Sequence, residues 1–422
     1  MASLEDIRAE RLKKLDSLKA AQIDPYPIST KRDYSLATLG LKFETIQKKA
    51  KPISIAGRIK ARRGQGAISF IDIDDGTGSF QLVLKRDNPP AGLGQEGMTR
   101  FQELTDVGDF VSATGTLFTT NKNEPSLMVT DWRMLGKSLR PLPDKWHGLQ
   151  DVEERFRHRY LDTLMNPEVK SRFLLRVRMI QEIRRFFNKA GFVEVEVPYL
   201  QPLAGGANAR PFTTHHNALA TDFYLPIAQE LYLKQLLVGG FSKVYEIGRR
   251  FRNEGIDVMH NPEFTMLESN EAYTDAKKMM AFTEQLLKYV VKELFGQLTI
   301  AYNGQTIDFA KKFTVIKFHD LLRRYALMVD PENISRKEAA VKADQLGVVV
   351  SPEDSLEKIL DNIYKKMARG RLIQPTYVVD YPVGMNPFAK RKPEDPKLID
   401  RFQLIVGGVE IVNAFSETNN PL

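Results

Sequence analysis

The stretch Lys243-Val-Tyr-Glu-Ile-Gly-Arg-Arg-Phe-Arg-Asn-Glu-Gly-Ile-Asp-Val-Met-His-Asn-Pro-Glu-Phe-Thr-Met-Leu-Glu-Ser-Asn270 decides how this chain is read. Residues 243–251 and 262–270 have strand character, and the polar segment 252–261 between them suits the tip of a long hairpin. That tip gathers Arg252, Glu254, His260 and Phe264. An Arg can clamp a phosphate through two parallel hydrogen bonds, a Glu can accept from the amino group of adenine, and an aromatic ring can stack on a base, so the group suits an ATP site. Without further context, a charged hairpin tip is more often solvated surface.

Upstream of the hairpin, Phe173, Leu174, Val177, Ile180, Ile183, Phe186 and Phe187 recur at helical spacing, and Gly191 terminates the helix. In the strand that follows, Val193, Val195 and Val197 alternate with Glu194 and Glu196 until Pro198 stops it. Residues 228–238 read as another helix. Downstream, helices are expected at about 275–295, 336–346 and 355–369, which gives a mixed α+β domain with mainly antiparallel pairings over 151–422.

Before this domain, Arg140-Pro-Leu-Pro-Asp144 marks a linker over 137–150, because prolines resist regular structure. Residues 51–136 change to short β-rich runs at 53–60, 67–73, 78–84, 110–117 and 126–133, with Asp74-Asp75-Gly76-Thr77-Gly78 as a turn. Five such strands fit a small closed barrel, and the OB-fold is the commonest such barrel in nucleic-acid binding. Residues 1–50 form a helical extension in which Leu4, Ile7, Leu12, Leu15 and Leu18 make a narrow apolar stripe, with Lys13, Lys14 and Lys19 on a solvated face.

Composition narrows the chemistry. At 422 residues the chain exceeds what one core usually serves, so at least two domains are expected. It contains no cysteine, which removes disulfides, thiolate nucleophiles and Cys-ligated metals. No apolar run approaches the ~18 residues of a membrane span, and Glu5, Asp6 and Glu10 argue against a targeting peptide, so the cytoplasm is the expected address. A net charge of +8 suggests a polyanionic partner without establishing one.

Longer strings then become informative. Phe173 to Pro198 resembles motif 1 of the class II aminoacyl-tRNA synthetases, and Arg252-Asn-Glu254 with His260 and Phe264 resembles their motif 2. Ala204-Gly-Gly-Ala-Asn-Ala-Arg-Pro-Phe-Thr-Thr-His-His-Asn217, Gln229-Glu-Leu-Tyr-Leu-Lys234, His260-Asn-Pro-Glu-Phe-Thr-Met-Leu-Glu268 and Asn413-Ala-Phe-Ser-Glu417 resemble the lysine enzymes of subclass b. The likeness runs in the same order from the barrel to the last residue. It implies an anticodon-binding OB-fold followed by an antiparallel-sheet catalytic domain with flanking helices, and a homodimer through motif 1. It also implies a two-step reaction: lysine and ATP give lysyl-adenylate and pyrophosphate, and tRNA(Lys) then takes the lysyl group. Such chemistry needs alignment and charge stabilisation by Arg and Mg2+ rather than a covalent nucleophile.

By position in the matching motifs, the resemblance implies that Arg252 meets the α-phosphate and the substrate carboxylate, Glu254 the adenine, His260 the outer phosphates and Phe264 the adenine face, with Asn261 beside them. Arg252, Glu254 and His260 form the implied catalytic set. Glu410 would hold magnesium, with Gln403 at the second metal position. Glu230 and the Gly206 backbone would take the α-ammonium, Glu268 and Glu417 the side-chain ammonium, and Asn413 and Phe415 would line the pocket. An acidic pocket suits a substrate with two ammonium groups, and a neutral analogue would leave a buried carboxylate unpaired. In the barrel, Arg63, Phe70 and Gln81 match anticodon-reading positions, consistent with base stacking on an exposed ring and edge recognition by polar side chains. His215-His216 is read as structural or substrate-adjacent, because adjacent strand residues face opposite sides.

The likeness has departures. Asn270 stands where these enzymes usually place Tyr, Gln403 where a second Glu is usual, and Met259 where a further Arg is common. The third class II motif, which supplies another ATP-binding Arg, is expected beyond Leu422, so a truncated chain with weak or no adenylation is one expectation. A catalytically impaired tRNA-binding or regulatory paralogue is the alternative function. An aspartate or asparagine enzyme of the same subclass is disfavoured by the three glutamates, and a barrel-less relative that lysylates a translation factor by the presence of the barrel.

Overall fold

The computed structural model describes residues 3–64, 66–89, 92–143, 149–207, 209–257 and 260–420. Met259 and residues 144–148 of the expected linker lie outside the described residues. By packing, the chain divides into two compact units between Lys170 and Ser171.

In the first unit, helix α1 (Leu4–Ala20) starts with a capping box in which Ser3 and Asp6 satisfy each other's backbone N–H groups. Two short helices follow, α2 (Leu36–Leu41) and α3 (Phe43–Gln47). Strands β1 (Ile53–Arg63), β2 (Ile68–Asp74), β3 (Ser79–Lys85), β4 (Phe110–Thr119) and β5 (Pro125–Gly136) close into the expected five-stranded barrel, ordered β1-β2-β3-β5-β4, with α4 (Gln95–Leu104) between β3 and β4. Its β2–β3 turn is built by Asp75, whose Oδ1 accepts from the N–H groups of Thr77 and Gly78 at 2.8 and 3.2 Å. The interior holds Ile55, Ile59, Ile71, Ile73, Leu82, Leu84, Val111, Leu127 and Val129. Alternation along β2 sends Ile71 and Ile73 inward and leaves Phe70 and Asp72 on the outer face. Helices α5 (Val152–Arg157) and α6 (Arg159–Met165) complete this unit, and Lys60 Nζ donates to the Leu164 carbonyl at 3.1 Å.

The second unit takes in most of α7 (Pro167–Lys189), whose end at Gly191 has φ +81° as a helix terminator requires. Strand β6 (Val193–Glu194) is shorter than the valine alternation suggests. It runs parallel to β9 (Lys243–Phe251) for one ladder step, after which Val197 N–H turns to the Glu246 side chain at 3.4 Å. Between them lie the hairpin of β7 (Thr213–His216) and β8 (Thr221–Tyr224), then α8 (Glu230–Val238). Strand β10 (Glu263–Glu271) pairs antiparallel with β9 from Glu263↔Phe251 to Glu271↔Lys243, forming the expected hairpin.

After α9 (Ala276–Phe295) come the hairpin β11 (Thr299–Tyr302) and β12 (Gln305–Asp308), strand β13 (Thr314–Lys317) and helices α10 (Phe318–Ala326), α11 (Arg336–Gln345) and α12 (Leu356–Met367). Strands β14 (Thr376–Pro382), β15 (Leu398–Val406) and β16 (Val409–Phe415) finish a four-stranded sheet, β13-β14-β15-β16, antiparallel except for β13–β14. Phe318, Leu321, Leu322, Ile359, Ile363 and Tyr364 pack one face of that sheet. Phe402, Leu404 and Tyr377 with Ala276 and Val291 of α9 pack the other. Helix α10 and the β13–β16 sheet were not legible from sequence periodicity.

Candidate active site and nucleic-acid interface

The β9–β10 hairpin creates the site by simple alternation. Glu246, Gly248 and Arg250 share one face of β9, and opposite them in register stand Glu268, Met266 and Phe264 of β10. Two carboxylates facing each other across a strand pair repel unless a cation intervenes. Here the guanidinium of Arg250, wholly buried, pairs with Glu246 and donates from Nε to Gln229 Oε1 at the start of α8. Gln229 N–H in turn donates to Glu268 Oε2 at 3.1 Å. Arg250, Glu246 and Gln229 form a support that the sequence reading missed, although the period-two placement of Glu246 and Arg250 was its visible sign.

Glu268 has no ion pair of its own among the described residues. Burial pushes its carboxyl up to about 7, with the Gln229 N–H and the Arg250 charge opposing the rise and the charges of Glu230 and Glu246 adding to it. Glu230, in the first turn of α8, and Glu417 are joined by one ammonium: Lys234 Nζ lies 2.6 Å from Glu230 Oε1 and 2.8 Å from Glu417 Oε2. Burial works against the charge on Lys234, but the two carboxylates hold its pKa above the ordinary ammonium value. Burial raises Glu417, and Lys234 opposes that rise. Glu417 is placed by the preceding Ser416, whose hydroxyl pairs with Asp400 and accepts from Ala276 N–H at the N-terminus of α9 at 3.1 Å.

Gly206 belongs to the same group. Its φ is +85°, and a Cβ there would stand 3.0 Å from Ala228 Cβ and 3.2 Å from Glu230 Cβ, so its bare backbone lies against the start of α8. The structure therefore brings together Gly206, Glu230, Glu268 and Glu417, with Lys234 as an unforeseen fifth member.

At the hairpin tip the Arg252 guanidinium lies 5.1 Å from the centroid of the Phe264 ring, while its buried Nε has no hydrogen-bond partner among the described residues. A buried guanidinium N–H without an acceptor is a donor waiting for an anion. Glu254, His260 and Asn261 are exposed. His260 Nδ1 pairs with Asp257 at 2.8 Å and its N–H donates to the same carboxylate, which fixes the turn. Asn270 lies opposite Val244, at the far end of the hairpin from Arg252.

On the second sheet, a bulge between Leu404 and Ile405 shifts the ladder so that Glu410 opposes Ile405 while Asn413 opposes Gln403 and Phe415 opposes Arg401. Arg401 Nε donates to Asn413 Oδ1 at 2.9 Å. At the expected second metal position, Gln403 Oε1 accepts from Tyr381 Oη at 2.6 Å and its Nε2 donates to Glu410 Oε2 at 3.0 Å, so its amide orients Glu410. The Glu410 carboxylate is the kind of hard anionic oxygen that suits magnesium. Loss of hydration around its carboxyl raises Glu410 above the usual range, with the Arg401 and Arg369 charges opposing.

In the barrel unit, Arg63 stands opposite Phe70, and Asp72 opposite Gln81, on one outer face. Arg63 Nη2 contacts both oxygens of Asp72 at 2.7 and 2.9 Å, and Gln81 Oε1 accepts from Ser126 Oγ at 2.9 Å. A cavity of about 610 Å³ opens there, lined by Lys60, Arg63, Asp72, Gln81 and Glu124 among others. Asp72 is the further member that sequence reading did not single out. The adjacent histidines of β7 have separate partners: His215 Nδ1 pairs with Asp222 at 2.8 Å, and His216 Nδ1 accepts from Leu219 N–H at 3.2 Å.

Comparison with known proteins finds a family match for each of the two domains. The family model for tRNA synthetases class II (D, K and N) matches residues 151–422, and that for the OB-fold nucleic acid binding domain matches residues 53–135. A lysine–tRNA ligase of Roseiflexus sp. (strain RS-1) is 44% identical over 99% of this chain and 85% of its own length. One from Dehalococcoides mccartyi (strain ATCC BAA-2266 / KCTC 15142 / 195) is 44% identical over 99% of this chain and 84% of its own. One from Pelotomaculum thermopropionicum is 45% identical over 99% and 82%.

Proposed function

The chain belongs to the class II tRNA synthetases, among the lysine–tRNA ligases, and from that premise we propose that it activates L-lysine with ATP and transfers the lysyl group to tRNA(Lys). One observation carries the choice of amino acid: Glu230 and Glu417 share a single ammonium, that of Lys234, and Glu268, close enough to Glu230 to feel its charge, adds a third carboxylate. A pocket with more carboxylates than cations favours a substrate bearing two ammonium groups. It disfavours aspartate, whose side-chain carboxylate would meet like charge, and gives asparagine no charge to offer.

In the first step the lysine carboxylate attacks the α-phosphate of ATP, and pyrophosphate leaves. Arg252 would hold the attacking carboxylate beside that phosphate, using the buried Nε–H that finds no acceptor among the described residues. Phe264 would stack on the adenine with the guanidinium nearby, Glu254 would accept from the adenine amino group, and His260 and Asn261 would meet the outer phosphates. Glu230 and the Gly206 backbone would seat the α-ammonium. Glu268 and Glu417 would take the side-chain ammonium, with Asn413 and Phe415 lining its path. Glu410, steadied by the Gln403 amide, would hold magnesium, which supplies Lewis-acid neutralisation of the phosphates. The barrel would read the anticodon through Arg63, Phe70 and Gln81. No helix among the described residues is long and apolar enough to cross a membrane.

Helix α7 presents Phe173, Leu174 and Val177, all about half exposed. An apolar stripe of this kind suits a second copy of the chain, and we propose a homodimer through it. Identity of 44% to a lysine–tRNA ligase over 99% of this chain does not favour a purely regulatory role.

Amino-acid-dependent ATP–pyrophosphate exchange with lysine, arginine, ornithine and aspartate at matched concentrations tests the proposal. Exchange with lysine is expected. Exchange with aspartate in its place would overturn the acidic-pocket assignment.

A further inference from the structure

Two of the three pocket carboxylates already hold an ammonium, and it is the chain's own. A Glu and a Lys four residues apart on an exposed helix form a pair worth about 0.3–0.5 kcal/mol, usually without further meaning. Lys234 differs in three respects. The side chains of Glu230 and Glu417 are only 14% and 35% exposed. Glu417 arrives from beyond the end of β16, so the ammonium ties α8 to a remote part of the chain. Glu230 also lies close enough to Glu268 for its charge to act there, which makes all three carboxylates one electrostatic unit.

Resting on the lysine-ligase assignment above, we infer that Lys234 is a positioning residue for the amino-acid substrate: it holds Glu230 and Glu417 at a fixed separation, so that substrate ammonium groups meet an assembled acceptor. Without that cation the two carboxylates repel each other across the pocket, and the burial that raises Glu417 goes unopposed. A protonated Glu417 would present an O–H donor and lose its charge, which is the wrong partner for an ammonium. A carboxylate has about four acceptor positions. Lys234 uses one on each partner and leaves the others for the ligand. Were Lys234 an internal competitor that lysine must displace, removing it would tighten lysine binding. The two roles therefore differ in sign.

The test compares the full 422-residue chain with its Lys234→Met and Lys234→Arg variants, reading KM for lysine and for ATP in pyrophosphate exchange and lysine affinity by calorimetry. Lys234→Met should raise KM for lysine by about tenfold, equivalent to about 1.4 kcal/mol, while KM for ATP stays within about twofold. Lys234→Arg should recover most of the loss, because a guanidinium can still span two carboxylates. An unchanged or lower KM for lysine in Lys234→Met, or a parallel rise for lysine and ATP, overturns the inference alone. If the unmodified chain shows neither lysine binding nor lysine-dependent exchange, the lysine-ligase assignment falls first and the inference with it.

Discussion

Arg250 and Glu246 stand four residues apart on a single face of β9, ion-paired with both side chains almost wholly shielded from solvent. Removing one partner of such a pair strands the other as an uncompensated buried charge, which costs about 3–5 kcal/mol. Glu246→Ala should therefore lower the thermal midpoint of the second unit markedly, measured by calorimetry. Replacing both residues with apolar side chains should be far less damaging than the sum of the single changes. Additive losses would show that the pair is not coupled.

Glu268 gives the site a pH response whose sign follows from its folded pKa of about 7. Ionised Glu268 accepts a substrate ammonium and protonated Glu268 does not. Lysine affinity should therefore fall as pH drops below about 7, and Glu268→Gln should flatten that limb at a lower plateau. Stability of the ligand-free chain moves oppositely. A carboxyl whose folded pKa is raised contributes stability below its unfolded value near 4.5, which is lost as pH rises through 7, by at most about 3 kcal/mol. Glu268→Gln should thus stabilise the ligand-free chain at pH 8, as read by chemical denaturation.

Arg252 keeps a buried Nε–H without an acceptor among the described residues, so its contribution should be chemical more than structural. Arg252→Ala is expected to lower kcat for pyrophosphate exchange by about 10²–10³, the usual loss for one preorganised donor to a developing charge. Circular dichroism and thermal midpoint should barely move. A Tm drop as large as that of Glu246→Ala would place Arg252 among the supports of the fold.

The barrel should be separable from adenylation. Phe70→Ala removes a stacking surface worth about 1–3 kcal/mol per base, so KM for tRNA in aminoacylation should rise by roughly 5- to 150-fold. Lysine-dependent pyrophosphate exchange without tRNA should be unaffected. Asp72→Asn, which weakens the hold on Arg63, should alter preference among anticodon-stem RNAs more than overall tRNA affinity.

Much of this architecture could be read in advance because the relevant signals are local. The β9–β10 hairpin has two β-rich runs around a polar tip, and the barrel strands alternate cleanly over Ile71, Asp72 and Ile73. The β13–β16 sheet escaped because Thr376–Pro382 is buried on both faces and so carries no period of two. Strand β6 was overestimated because its valines persist past the point where Val197 turns to a side chain for its hydrogen bond. Among site residues, Arg252, Phe264 and the three glutamates were found through motif strings, whereas Arg250 and Asp72 were not. The one local difference between buried Arg250 and exposed Arg249 is the strand alternation that sets Arg250 on the face of Glu246. The link from Lys234 to Glu417 joins distant segments and exists only after folding.

The bulge between Leu404 and Ile405 has a consequence for descent as well as for shape. It admits one surplus residue into β16. Substitutions there alter one contact each. Loss of Ile411, which has no partner in the ladder, would instead leave each remaining pair on its own side and take out only the added twist and bend of the bulge. Lineages of this chain should accordingly tolerate a one-residue gap at Ile411 more readily than at Glu410 or Val412, whose loss would shift the ladder itself.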